Sequence, residues 1–141
     1  MSDQSLEPRM LELLSSDQSL NAICASRPQV CIMPFMKSTV DNYVAIVLYL
    51  KGGSLTLNDL WFVCRRSVQL LVEHSFLGEL KGVEVIVGEA QPNGGGKRLF
   101  RLSILEQAIL QALNMVPAQL LDAKPIEGVT CGWYCDPSQY K

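Results

Sequence analysis

Residues 38–53 read STVDNYVAIVLYLKGG, and the fold turns on what this stretch becomes. The spacing predicts a helix. Ser38 followed by Asp41 forms a capping-box variant at its start, and Gly52 with Gly53 supplies the stop. From Tyr43 to Leu50 every side chain is apolar or aromatic, and a helix apolar on all sides sits at the centre of a domain. On this reading it is the spine of the core.

Working outward, residues 5–15 predict an N-terminal helix with Leu6, Met10, Leu13 and Leu14 on one stripe, and Pro8 fits only its first turn. Val30 to Met33, bracketed by Pro28 and Pro34, reads as an edge strand or an irregular packing segment. After a candidate short strand at 54–57, Thr56 or Asn58 can cap a helical stretch running to residue 78. Whether 58–78 form one helix or two stays open.

At 83–87 Val83, Val85 and Val87 alternate with Glu84 and Ile86, the period of a strand. The return strand at 97–102 puts Arg98, Phe100 and Leu102 on one face and Lys97, Leu99 and Arg101 on the other. Asn93 and three glycines lie between the two. Ser103 and Glu106 form a capping box that opens a predicted helix over 104–116. A short helix follows Pro117, and the tail at 117–141 is otherwise expected to be irregular, its aromatic and cysteine residues packing back on the domain. The expected organisation is one domain over 1–141, with a core at 38–116.

Totals bound the function classes. A 141-residue chain with net charge −2 and 48% hydrophobic residues folds around one core and carries no global cationic coat. Its N-terminus has no secretory pattern, and its longest apolar run is far short of the roughly 20 residues of a membrane span. The five cysteines, Cys24, Cys31, Cys64, Cys131 and Cys135, are an odd set with irregular spacing. That favours a cytoplasmic or other reducing compartment and gives no zinc pattern. No cofactor or metal is expected.

The glycines before Lys97 are not a phosphate loop, because Arg98 stands where Ser or Thr must follow the lysine. With one histidine, His74, and scattered carboxylates, no catalytic constellation is visible and an enzyme is not expected. Between residues 81 and 101, Lys81, Lys97, Arg98 and Arg101 face two carboxylates, Glu84 and Glu89, for a local excess of two positive charges. Such a cluster suits backbone phosphates, or simply solubilises a hairpin.

The order central helix, short strand, helical segment 67–80, basic hairpin, and then the exit FRLSILEQAILQAL resembles the winged-helix superfamily in its MarR-like arrangement, over about residues 39–115. The resemblance implies an α+β, winged-helix-like fold, mainly helical with one long β-hairpin as the wing. It also implies a homodimeric transcriptional regulator bound to double-stranded DNA. Ser67, Gln69, Glu73 and His74 would lie near base edges. Lys97, Arg98 and Arg101 would meet phosphates, with Arg65 and Arg66 beside them. Self-association would use the terminal helices. The alternative is a non-enzymatic protein-interaction module on the same scaffold. Its contacts would come from Trp61, Phe62 and Phe76 and from the tail aromatics Trp133, Tyr134 and Tyr140. The regulator reading requires the hairpin's cations and the helix to face the same side.

Overall fold

The computed structural model describes residues 2–34, 42–76 and 80–140, with side chains from residue 7 onward except at 33, 34 and 42. Its centre is a sheet. Five strands, β1 (Gln29–Pro34), β2 (Asn42–Leu50), β3 (Gly82–Ala90), β4 (Gly96–Leu105) and β5 (Val129–Trp133), lie side by side in sequence order. All neighbours are antiparallel except β2 and β3, which run parallel and are joined by a crossover helix. The chain is therefore not mainly helical with a single hairpin wing, and the winged-helix assignment is corrected.

The correction begins at β2. Residues 43–50 are apolar on both sides because a strand, too, can be covered on both sides, and the periodicity does not separate that case from a buried helix. Composition breaks the tie, since valine, isoleucine and tyrosine fit a pleated surface and crowd a helix. The predicted capping pair Ser38 and Asp41 falls at 35–41, outside the described residues.

Helices α1 (Ser2–Ser16), α2 (Gln18–Ile23) and α3 (Leu57–Glu73) precede β1 or connect β2 to β3; α1 starts ahead of the expected residue 5, so Pro8 lies inside the helix and not in its first turn. Among the described residues of the stretch at 58–78 there is one helix, α3, and no helix–turn–helix. Thr56 caps it reciprocally with Asp59, and its apolar stripe, including Leu60, Val63, Cys64, Val68 and Leu71, is buried. Residues 54–56 form no strand, and 77–79 lie outside the described residues.

The helix expected over 104–116 is replaced. Ile104 and Leu105 finish β4, a 3-10 turn occupies Glu106–Ala108, and α4 (Ile109–Ala112) is one turn long. Ser103 caps nothing; its hydroxyl donates to Glu84 at 3.3 Å across the strands. The tail packs back but is not irregular: it forms a 3-10 turn (Pro117–Leu121), the paired strand β5, and a last turn (Pro137–Tyr140) that buries Tyr140.

Alternation divides the sheet into two faces. Val44, Ile46, Leu48 and Leu50 of β2, Val83, Val85 and Val87 of β3, Phe100, Leu102 and Ile104 of β4, and Val129 and Cys131 of β5 point inward. They share one core with Met10 and Leu14 of α1 and the buried stripe of α3. The opposite, outer face carries the alternate residues. Neither Ala45 nor Ile86 joins that core, although both are buried.

One irregularity decides the outer face. The β3–β4 register slips between Val87 and Gly88, so that Val87 pairs with Phe100 but Gly88 pairs with Arg98, and Leu99 is the extra residue of a bulge. Regular alternation would send Arg98 inward with Phe100. The bulge turns it outward, onto the face that carries Arg101, opposite to the expected parity.

Candidate functional site: the outer face of the sheet

The residues singled out on the helix do not form a site with those of the hairpin. Ser67 is fully buried and donates its hydroxyl to the Val63 carbonyl at 2.7 Å. Arg66 is paired with Asp17 at 2.7 Å, and Gln69 accepts a bond from Arg66. Arg65 donates through Nε to the Leu113 carbonyl at 2.8 Å. Glu73 ends α3 and His74 follows as its C-cap, both exposed. All of these belong to the helical layer beneath the sheet, whereas Arg98 and Arg101 project from the other side and Lys97 sits exposed at the hairpin end. The sheet stands between the two groups, so no groove-reading helix flanks a basic wing.

The expected aromatic anchors move inward as well. Trp61 and Phe76 are buried, and Phe62 stays partly exposed on the helical layer. Trp133 donates its indole N–H to the Leu120 carbonyl at 2.8 Å and packs between Phe100 and Tyr140, at ring-centroid distances of 4.8 and 5.9 Å. Tyr134 alone of the tail aromatics is exposed. The helical stripes expected at a dimer interface are largely used within the chain, Met10, Leu14, Ala108, Ile109 and Ala112 being buried, while Leu110 and Val116 remain exposed.

The outer face offers a different constellation. At the hairpin end, the Tyr49 ring lies across the ribbon in the space that Cβ atoms at Gly88 and Gly96 would fill, each such atom falling within 2.7 Å of the ring. The Arg98 guanidinium meets the Tyr49 phenol; that hydrogen bond, aided by Tyr134, raises its pKa above the ordinary value. Two glycines on adjacent strands thus seat one aromatic ring, and one bulge supplies its cation.

At the other end, where β3 begins, Glu84 is the half-buried charge. Its Oε2 accepts from the Ser103 hydroxyl and lies 3.7 Å from Arg101 Nε, an ion pair whose arginine stays about half exposed. Tyr43 stands beside this pair. Burial, and then the negative charge of Glu84, push its phenol pKa up. A cleft of about 760 Å³ opens here, with Gly82, Glu84, Ser103 and Leu105 on the strands, Tyr43 on one flank and the 124–128 segment on the other. Gly82 has to be glycine, because a Cβ would approach the Ile104 carbonyl oxygen to 2.8 Å.

In the middle of this face lie Ala45 and Ile86, both buried, and Val47, half-buried, outside the core that α1 and α3 cover. Both edges of the sheet are already engaged. The Ile32 amide on the β1 edge donates to Glu7 Oε1 at 3.3 Å, and the Cys131 amide on the β5 edge donates to the Ala123 carbonyl at 2.8 Å.

Sequence reasoning missed Tyr43, Tyr49, Glu84, Ser103 and Thr130. The signal was present in β2, since Tyr43, Val47 and Tyr49 fall on one face at a period of two. A helical assignment scatters them.

The cysteines are free thiols. Burial pushes Cys24 up to about 11 and Cys131 up to about 12, and raises Cys64 as well, which leaves these thiols protonated and unreactive. Among the described residues there is no cluster of three or more His, Cys, Asp or Glu side chains able to hold a metal ion, and no helix is long and apolar enough to cross a membrane. No family model, no curated protein and no solved structure matches the chain.

Proposed function

We propose that this chain is a non-enzymatic protein-interaction module that docks a partner protein on the outer face of its sheet. The observation that carries the reading is the two-sided apolarity of β2, whose second face stays apolar although it lies outside the core under α1 and α3. Sheets with parallel strands are normally covered on both faces, and a face meant for water alternates to polar residues. Here Tyr43, Ala45, Val47 and Tyr49 occupy those positions. Tyrosine and arginine are the side chains most enriched where binding energy concentrates.

Charge specifies the partner. Arg98 and Arg101 border the apolar strip on the β4 side, so the complementary surface has an apolar centre flanked by carboxylates. The transcription-regulator reading would need a helix and a hairpin on one side, and its polar helix residues lie under the sheet. Duplex binding is therefore the less favoured reading.

A photo-crosslinker at Val47, with a control at Phe62 on the helical layer, tests this inside cells that make the protein. The expected product is a protein joined through an acid-bordered surface at Val47 and not at Phe62. The adduct should be lost on Arg98→Glu with Arg101→Glu and restored by the reciprocal charge swap on the partner. Crosslinking to nucleic acid, crosslinking to a second copy of this chain, or equal yields from both positions would overturn the proposal.

A further inference from the structure

We infer that the cleft at the β3 start of the outer face is a binding site for a small organic amine. This inference does not rest on partner docking, because the cleft and the Tyr49–Arg98 platform lie at opposite ends of the strands. Tyr43 and Tyr49 are six positions apart on β2, roughly 20 Å at the rise of a strand.

Size is the first argument. A volume of about 760 Å³ falls within the roughly 300–1,000 Å³ of small-molecule sites and far exceeds what one side chain fills. The lining is the second. Leu105, Ile126 and the bare backbone at Gly82 give an apolar bed, and the convergent polar groups are few: Glu84, Ser103 and Thr130, with the Tyr43 ring at the flank.

The sign of the charge comes from Glu84. Its side chain is only 16% exposed, and Ser103 and Arg101 both meet it at one oxygen, Oε2. A carboxylate offers about four acceptor positions on its two oxygens, so an ammonium arriving from the cleft adds a donor without displacing Ser103. Arg101 holds Glu84 at 3.7 Å from a half-exposed position, a long pair that leaves the carboxylate under-neutralised. The Tyr43 ring favours a cation near its face as well. On the rim, Lys124 and Glu127 are both exposed and offset one another, so the rim favours neither sign. Together these features select a flat or branched apolar body with a protonated amine at one end.

Amide NMR titration with 2-phenylethylamine, 2-phenylethanol and phenylacetate separates shape from charge. The amine is expected to give saturable shifts at Gly82, Glu84, Leu105 and Thr130. It should bind about tenfold more tightly than the alcohol, and the carboxylate should bind most weakly. Glu84→Gln, which can still accept from Ser103, should erase the preference for amine over alcohol. Thr130→Phe, at an exposed position, should fill the mouth and abolish shifts from all three probes while leaving the rest of the spectrum intact. The inference is overturned by any of four results: no saturable shift up to about 20 mM amine, phenylacetate binding most tightly, an undiminished amine preference in Glu84→Gln, or undiminished binding in Thr130→Phe. Tyr43 and Arg101 border both regions, but neither variant replaces them or Val47 and Arg98, and the amine titration and the Val47 crosslink are separate readouts, so failure of one leaves the other standing.

Discussion

The inner and outer faces of this sheet are made by the same five strands, yet they obey different rules. Inward positions are uniform, with valine, leucine, isoleucine and phenylalanine packed against α1 and α3 and almost no polar atom among them. Outward positions are mixed. An apolar strip along β2 is flanked by Glu84, Ser103, Arg98 and Arg101, and two glycines make room for a tyrosine ring. A face that served only to be wet would be polar throughout. The difference separates residues that hold the fold from residues available for contact.

Substitution sharpens that contrast most on the inner side. Phe100→Ala removes a fully buried ring and is expected to cost about 3–5 kcal/mol in urea unfolding, whereas Val47→Lys, one layer away, should change stability by less than about 1 kcal/mol. Equal losses at the two positions would show that the outer face is as structural as the inner.

Next in size is the clasp within the helical layer. Asp17 caps α2 through the Leu20 amide and is held by Arg66, whose hydrogen bond is the main reason its pKa lies below the ordinary carboxylate value. Asp17→Ala should cost about 1–2 kcal/mol at neutral pH. Because the folded-state pKa is depressed, that contribution is complete above the unfolded carboxylate pKa of about 3.9 and is lost as the pH falls below it. Wild type and variant should therefore converge in acid, as read from denaturation midpoints across a pH series. No outer-face variant should show this convergence.

A smaller effect is expected at the hairpin. Gly96→Ala places a methyl where the Tyr49 ring lies and should cost about 1 kcal/mol while breaking the Arg98 contact. In a Tyr49→Ala background the same change should be nearly neutral, and a double-mutant cycle measures the coupling. Smallest of all, Arg101→Gln removes a half-exposed ion pair and should alter stability by less than about 0.5 kcal/mol while reducing partner capture. A larger stability loss would place Arg101 among the residues that hold the fold.

The sequence disclosed local elements better than distant ones. The hairpin, the helix at the N-terminus and the cap at Thr56 were legible because each depends on neighbours a few positions away. The edge strand near Val30 was visible as one of two options. Strand β2 was misread because apolarity on both sides erases the period that distinguishes strand from helix. With it went the sheet, the topology and the outward pair of tyrosines.

Strand β5 was hidden for another reason. Its five residues, VTCGW, carry too little pattern to announce pairing with β4, and only the tertiary fold supplies the partner. The helix expected after Ser103 shows the same competition, since that serine can close a capping box or bond across strands, and Glu84 decides which. Trp61 and Trp133 read as surface anchors because composition does not tell a buried aromatic from an exposed one.

The bulge at Leu99 has a wider implication. Its extra carbonyl receives the Tyr134 amide at 2.9 Å, which fastens the chain just beyond β5 to the root of the hairpin. Where the surplus residue sits therefore sets both the rotation of the ribbon's tip and the mooring of the C-terminal segment. Sliding that surplus toward the glycine turn would invert the tip and split the paired arginines without altering a single side chain. Spacing between Gly96 and Phe100, more than residue identity, is thus the variable through which such a scaffold could acquire a different clientele.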